Sequence, residues 1–291
     1  MECILNQVDP QFDATLGHAY RLSTLMCREG FSFLVTDTAS KKVMKLSSYR
    51  LSETDIKLGD AVKWPESGSD YFEQLIKTDF AQLSCSRTDI AIATNRITVA
   101  PHDFIEQGAI SDIMSAAFSY TSEEEILTDP VSGSGPVVAM LAPRYISSLC
   151  AALFPGVSLH SAAAVFVKAA LLQHSQLSSR QVFVNVYREH FEIALIQGAR
   201  LLFLNAFRYS SSSDVLYYVI FVLEQLGFVP SEENLILMGE VSENSVIYQQ
   251  LKMYCASIQY VTPPDGIELG NSFSGIPVHT YFTLLNVSLC E

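Results

Sequence analysis

The sequence predicts an α/β protein of two lobes, each built on a hairpin-led mixed sheet with flanking helices, and three observations carry that prediction. From Val182 to Phe207, the segments VFVNVYR, FEIALIQ and ARLLFLNAF follow one another closely. They are rich in Val, Ile, Leu and Phe and separated by polar or glycine punctuation, the pattern of a strand meander. The meander feeds a helix reaching about Gly227 and then a strand ending in Leu237-Met238-Gly239-Glu240. A hairpin-led unit of the same kind occurs about 150 residues earlier, at Phe31 to Tyr49, so one layer architecture is used twice.

A chain of 291 residues is long enough for two domains with a core in each. The polar segment from His174 to Arg180 is the expected junction, giving an N-terminal lobe of residues 1–175 and a C-terminal lobe of residues 176–291. With 49% hydrophobic and 17% charged residues the composition excludes a disordered chain. A net charge of -13 argues against non-specific nucleic-acid binding, which needs clustered Lys and Arg to displace counterions from phosphate. No membrane span is expected: the apolar run Val215 to Leu223 meets Glu224 and Gln225 well short of the ~20 residues a span requires. The start, MECILNQVDPQFDA, has acidic residues where a signal peptide would be basic, so a cytoplasmic location is expected. The six cysteines, Cys3, Cys27, Cys85, Cys150, Cys255 and Cys290, form no CxxC pair and read as reduced thiols.

Taken in order, Met1 to Gly30 reads as a polar lead-in with an edge strand. FSFLVTD, the turn TASKK and VMKLSSYRL make the first hairpin. Arg50 to Ser69 is a loop carrying the single tryptophan, Trp64, and Asp70 to Leu83 is an amphipathic helix. DIAIAT and ITVAP read as a second tight pair around Asn95-Arg96, followed by a helix opened by His102-Asp103. A strand near Ile126, the strand PVVAMLA, the helix RYISSLCAALF after Pro143, a short strand near Val157 and an alanine-rich helix from Ser161 to Gln173 complete the first half. Beyond the meander come a helix from Asp214 to Leu226, the strand LILMG, a helix from Ser245 to Tyr254 and the strand SIQYV. A closing helix from Val278 to Leu289 is expected to pack back on the first lobe or the junction.

This double presentation of hairpin, third strand, helix and glycine-ended strand resembles the actin-like ATPase superfamily of sugar kinases, heat-shock chaperones and actin. More closely, the chain resembles a bacterial family of proteins of unknown function assigned that fold, through FSFLVTD, ITVAPHDF, AMLAPRY, FPGVSLHSAAA, QGARLLFLNAF and HTYFTLLNVSLCE. The resemblance implies a two-lobed fold of duplicated ribonuclease-H-like domains with mixed sheets. It also implies where a nucleotide would sit: active members carry an acidic residue closely followed by glycine at the first hairpin of each lobe, beside phosphate and Mg²⁺. Aligned on the hairpins, the candidate cleft residues are Asp37, Thr38, Ser40, Asn185 and Gly239. Three departures suggest a vestigial site. Ala39 stands where glycine is needed, Asn185-Val186-Tyr187-Arg188 has neither carboxylate nor glycine, and Gly239 is followed by Glu240 instead of a second glycine.

Other motifs have plainer readings. Asp37 at a hairpin turn can simply cap local backbone. Ser210 to Ser213 with Asp214 offers either an anion site or an ordinary helix cap. Ser132-Gly133-Ser134-Gly135-Pro136 lacks the lysine and spacing of a P-loop and reads as a connector. His102, His160, His190 and His279 show no ligand spacing, so no metal site is expected. Tyr217, Tyr218, Phe221 and Leu226 occupy more than one helix face, some for the core and others for a partner or the opposite lobe.

Two functions from different classes follow. The first is a non-catalytic actin-like protein that binds an unidentified protein partner, as a monomer or small homo-oligomer and without a cofactor. The alternative is a weak ATP-dependent switch or kinase holding Mg-ATP between the lobes. A metabolite-binding protein using the same cleft is a third option, since fold alone does not establish function.

Overall fold

The structure is a computed structural model that describes residues 1–52, 66–80, 83–133, 135–174 and 179–288. The first sheet begins with β1 (Glu2–Val8), β2 (Tyr20–Cys27), β3 (Gly30–Asp37) and β4 (Val43–Arg50). After α1 (Glu66–Asp79) the chain forms β5 (Arg87–Ile92), β6 (Ile97–Ala100), α2 (His102–Glu106), α3 (Ile110–Ala117), β7 (Glu124–Pro130) and β8 (Val137–Pro143). Then come α4 (Arg144–Leu153), β9 (Ser158–Ser161) and α5 (Ala162–His174). The second sheet is built from β10 (Arg180–Val186), β11 (His190–Gln197), β12 (Arg200–Arg208), β13 (Asn234–Gly239) and β14 (Ser257–Tyr260), with α6 (Ser212–Gln225) and α7 (Val246–Tyr254) between the later strands. A 3₁₀ turn, Val278–Tyr281, leads into α8 (Phe282–Val287).

The two sheets repeat one another. The first runs β1-β4-β3-β2-β5-β9 and the second β12-β11-β10-β13-β14. Setting aside β1, each is an antiparallel three-strand meander extended by two parallel strands on the side of its first strand. The parallel crossovers need helices, which α6 and α7 supply in the second lobe. A third, antiparallel sheet, β6-β8-β7, stands beside the first.

Two local expectations are corrected. The first 30 residues are not merely a lead-in: they contain β2, a central strand that pairs with both β3 and β5. Its polar residues Arg21, Ser23 and Thr24 are all buried, so no alternation of apolar and polar residues marks it. Arg21 is matched by Asp89 at 2.8 Å. DIAIAT and ITVAP do not pair with each other. β5 lies between β2 and β9, while β6 pairs with β8. At the bend between them the Arg96 guanidinium is held by Glu124 and the Ser119 carbonyl.

Smaller differences concern helices. The segment after His102 is two helices, interrupted at Gly108, whose φ of +71° lies in the left-handed region. The closing segment is a 3₁₀ turn with a shorter α-helix. Trp64 and most of the expected junction, residues 175–178, lie outside the described residues.

α5 is apolar but for Lys168 as far as Leu172, and Ala162 to Val167, Ala169, Ala170 and Leu171 are all buried, as expected of a helix largely enclosed by protein. It packs against strands of all three sheets, with Phe166 meeting Phe183 edge to face at 6.2 Å. α8 rests on β2, β3, β5 and α5. Phe282, Leu284 and Leu285 are buried there, so the closing segment returns to the first sheet. Among the described residues no helix is long and apolar enough to cross a membrane.

Candidate functional site

Two hairpin turns, one from each sheet, meet where the lobes face each other. β2 ends at Cys27 and β3 begins at Gly30, which leaves Arg28 and Glu29 to make the first turn. β10 ends at Val186 and β11 begins at His190, which leaves Tyr187, Arg188 and Glu189 to make the second. The turns are tied together: Arg28 donates to Glu189 at 2.7 Å, and the Arg188 backbone N–H donates to Glu29 Oε1 at 3.1 Å. A third tie joins Arg50, at the end of β4, to Glu240 at 3.2 Å.

Both glycines at this place have a packing explanation. A Cβ on Gly30 would lie 2.2 Å from the Tyr49 carbonyl oxygen. Gly239 has a φ of +84°, and a Cβ there would lie 2.0 Å from the Val186 carbonyl oxygen. Neighbouring backbone therefore demands glycine at each position, whatever ligand is or is not bound.

The ties surround a cleft of about 120 Å³, lined by Leu25, Glu29, Phe31, Asn185, Tyr187 and Tyr281 among others. Two buried carboxyls lie here, Glu29 in the lining and Glu192 behind the lining residue Asn185. Glu29 is 5% exposed, and burial, with Glu189 and Glu240 adding repulsion, raises its pKa to about 7. Glu192 is fully buried and is raised to about 8 by burial, opposed by the Asn185 amide that donates to it at 2.9 Å. The Asn185 amide also reaches the Tyr187 hydroxyl at 3.0 Å. His190 stacks on Tyr187 with ring centres 4.5 Å apart, and burial, with Arg208 adding, pushes it down to about 3. Burial raises the Cys27 thiol well above its usual range.

The residues expected in a nucleotide cleft fall into two groups. Asn185 and Gly239 line the cleft between the turns. Asp37, Thr38 and Ser40 belong to the turn after β3, where Asp37 pairs with Tyr20 at the end of the β2–β3 ladder opposite Gly30. Seven strand steps separate the two ends, roughly 23 Å. Asp37 Oδ1 accepts from the Ser40 N–H at 2.7 Å, the Ser40 hydroxyl at 2.8 Å and the Ala39 N–H at 3.1 Å, so it caps its own turn. The Ser40 N–H is the main cause of its lowered pKa. Asp37 and Thr38 line a separate cavity of about 190 Å³ with Arg21, Lys41 and Arg87.

Other expected features have local partners. Asp214 accepts from the N–H groups of Ser210 and Ser211, each at 2.8 Å, which caps α6. His160 lies between Asp89 and Asp129, at 3.4 and 3.3 Å. His279 stacks on Tyr260 at 4.0 Å. Among the described residues no group of three or more His, Cys, Asp or Glu is placed to hold a metal ion. Tyr218 stacks inward on Phe207 at 4.8 Å, whereas Tyr217 and Phe221 are exposed and stack on each other.

Sequence reasoning missed Glu29 in the cleft lining, Arg28 and Glu189 in the tie between the turns, and Glu192 beneath Asn185. One signal for Glu29 was present: an acidic residue directly followed by glycine, as the resemblance requires of a first hairpin, occurs at Glu29-Gly30.

Similarity to known proteins extends over almost the whole chain. The structure is similar to that of a protein from Bacteroides thetaiotaomicron VPI-5482 with an actin-like ATPase fold and unknown function, at 17% identity and a TM-score of 0.78, covering 97% of this chain and 100% of that one. It is also similar to a chain in the PilM-PilN type IV pilus biogenesis complex, at 12% identity and a TM-score of 0.63, covering 94% and 97%. At these identities the likeness establishes the actin-like fold. No curated protein matches the sequence. Residues 9–258 match one family model, and the chain accordingly belongs to the family described as a protein of unknown function, DUF3822.

Proposed function

We propose that this chain is a non-catalytic actin-like protein that acts by binding another protein, with its interlobe cleft closed to nucleotide phosphates. The observation that carries this reading is the pair of turn-to-turn ties, Arg28 to Glu189 and the Arg188 N–H to Glu29. In the nucleotide-binding members that the chain resembles, the corresponding turns offer N–H groups and open space to phosphate. Here one of those N–H groups already has a carboxylate, and Tyr187 and Glu240 line the same cleft. Glu189 and Glu240 would repel a triphosphate, and the buried Glu29 would add its charge on ionising.

The PilM-PilN complex gives a precedent for a protein of this fold bound to another protein. The proposal divides the chain into lobes of residues 1–175 and 176–291 and places a monomer or small homo-oligomer in a bacterial cytoplasm. In the test, purified protein is incubated with millimolar Mg-ATP. No phosphate release is expected over hours. Release in proportion to protein concentration, lost in Ile4→Trp at the exposed mouth of the cleft but kept in Asp37→Ala, would establish the ATP-dependent alternative.

A further inference from the structure

We propose that the cleft between the two turns receives a lysine or arginine side chain, presented by an extended segment of a partner protein that lies along β1. This rests on the protein-binding reading and specifies the partner's chemistry.

Glu29 supplies the first argument. Its carboxyl is 5% exposed and lines the cleft, and while Oε1 accepts the Arg188 N–H, Oε2 has no hydrogen-bond partner. A buried acceptor without a donor is costly, and a ligand that brings donors removes the cost. The charges facing Glu29 make a cation the fitting donor. Glu189 and Glu240 both act on it with like sign, and the Cys27 thiol is beside it. Arg50, itself on the cleft wall, is paired with Glu240, Arg28 is paired with Glu189, and Arg188 contributes its backbone N–H. Leu25, Phe31, Tyr49 and Tyr281 give the cleft apolar and aromatic walls, with Ser32, Ser48, Thr280 and Thr283 between them. That is the surface a lysine or arginine stem covers, and aromatic faces favour a cationic head.

The second argument is β1. It is the edge strand of the first sheet, paired with β4 on one side. The pairing skips a residue between Cys3 and Leu5, which takes Ile4 out of register, and Ile4, 41% exposed, lines the cleft. Bulges of this kind re-aim a side chain next to a site, and an exposed edge accepts an added strand. A segment lying along β1 would therefore pass the mouth of the cleft.

Binding of a cation should be linked to proton release. Burial keeps Glu29 largely neutral below about pH 7, whereas a bound cation favours the ionised form. Affinity should rise about tenfold between pH 6 and pH 8, as the ionised fraction grows from about one tenth to about nine tenths.

The test uses the full chain and three probes, acetyl-Val-Arg-Val-amide, its citrulline analogue and free ethylguanidinium, with Kd read by NMR titration. The arginine peptide is expected to bind at least tenfold more tightly than the other two, and about tenfold more tightly at pH 8 than at pH 6. Glu29→Gln should weaken it at least tenfold and abolish the pH dependence. Should that variant fail to fold, Ile4→Arg, at the exposed mouth, should block the peptide with no change in melting temperature. Equal binding of the citrulline analogue, a flat pH profile, or no binding of the arginine peptide up to 10 mM overturns the proposal. Ethylguanidinium binding as tightly as the peptide overturns it in favour of a small cationic metabolite. An Mg-ATP titration on the same sample separates the two failures: ATP binding in the cleft refutes the protein-binding reading, whereas failure of the peptide alone refutes only its partner.

Discussion

Replacing Glu192 by glutamine should flatten the dependence of stability on pH. The carboxyl is fully buried, it accepts from the Asn185 amide, and its pKa is raised from 4.5 to about 8. The sign follows from linkage: a folded-state pKa above the unfolded one means that the native state holds the proton more tightly. The stabilisation is complete below pH 4.5 and is lost as pH rises towards 8. With those two values the wild type should lose about 3 kcal/mol more than the variant between pH 5.5 and pH 8, at 1.36 kcal/mol per unit. Glutamine has no proton to lose and keeps the shape that Asn185 contacts. Urea unfolding of both proteins at the two pH values reads the difference, with other titrating groups, Glu29 and His190 among them, common to both. Parallel pH profiles would refute the claim that this buried carboxyl is held neutral.

Gly239→Ala should destabilise by about 2–4 kcal/mol, because a Cβ would meet the Val186 carbonyl oxygen at 2.0 Å in a left-handed conformation; denaturant unfolding reads it. Phe166→Ala should cost about 3–5 kcal/mol, since the ring is fully buried in the helix that touches all three sheets, and urea unfolding is expected to remain one transition with an earlier midpoint. Arg28→Ala should cost only up to about 1 kcal/mol, as its pair with Glu189 is partly exposed, yet it should speed amide exchange at Arg188 and in the turn after Cys27.

The second lobe was legible because each strand of its meander is a compact apolar run closed by glycine or polar residues, and local rules suffice for that. The first lobe was read one strand late. β2 is buried on both faces with Arg21, Ser23 and Thr24 inside it, and Arg21 is satisfied by Asp89, 68 residues away in sequence. No local pattern reports such a partner. Missing β2 moved the expected first hairpin from Arg28-Glu29 to Asp37-Thr38, and the candidate site moved with it to the far end of β3. β5 and β6 looked like a hairpin because Asn95-Arg96 resembles a turn, but the bend is fixed by Glu124 and the Ser119 carbonyl, which only the folded chain brings near. Asn185 and Gly239 were legible because the strands carrying them were, whereas Glu189 and Glu192 gain their meaning from the burial and the opposing turn that folding creates.

The central claim, that the cleft is closed to nucleotides, is tested most directly by melting the protein with and without saturating Mg-ATP, Mg-ADP and Mg-GTP. A nucleotide bound at a hundredfold excess over its Kd must stabilise the folded state by about 2.7 kcal/mol. For a chain of 291 residues that corresponds to a rise in melting temperature of about 4 °C. The account predicts no shift with any of the three. A reproducible rise of that size, specific to one nucleotide and absent in Ile4→Trp, would contradict it.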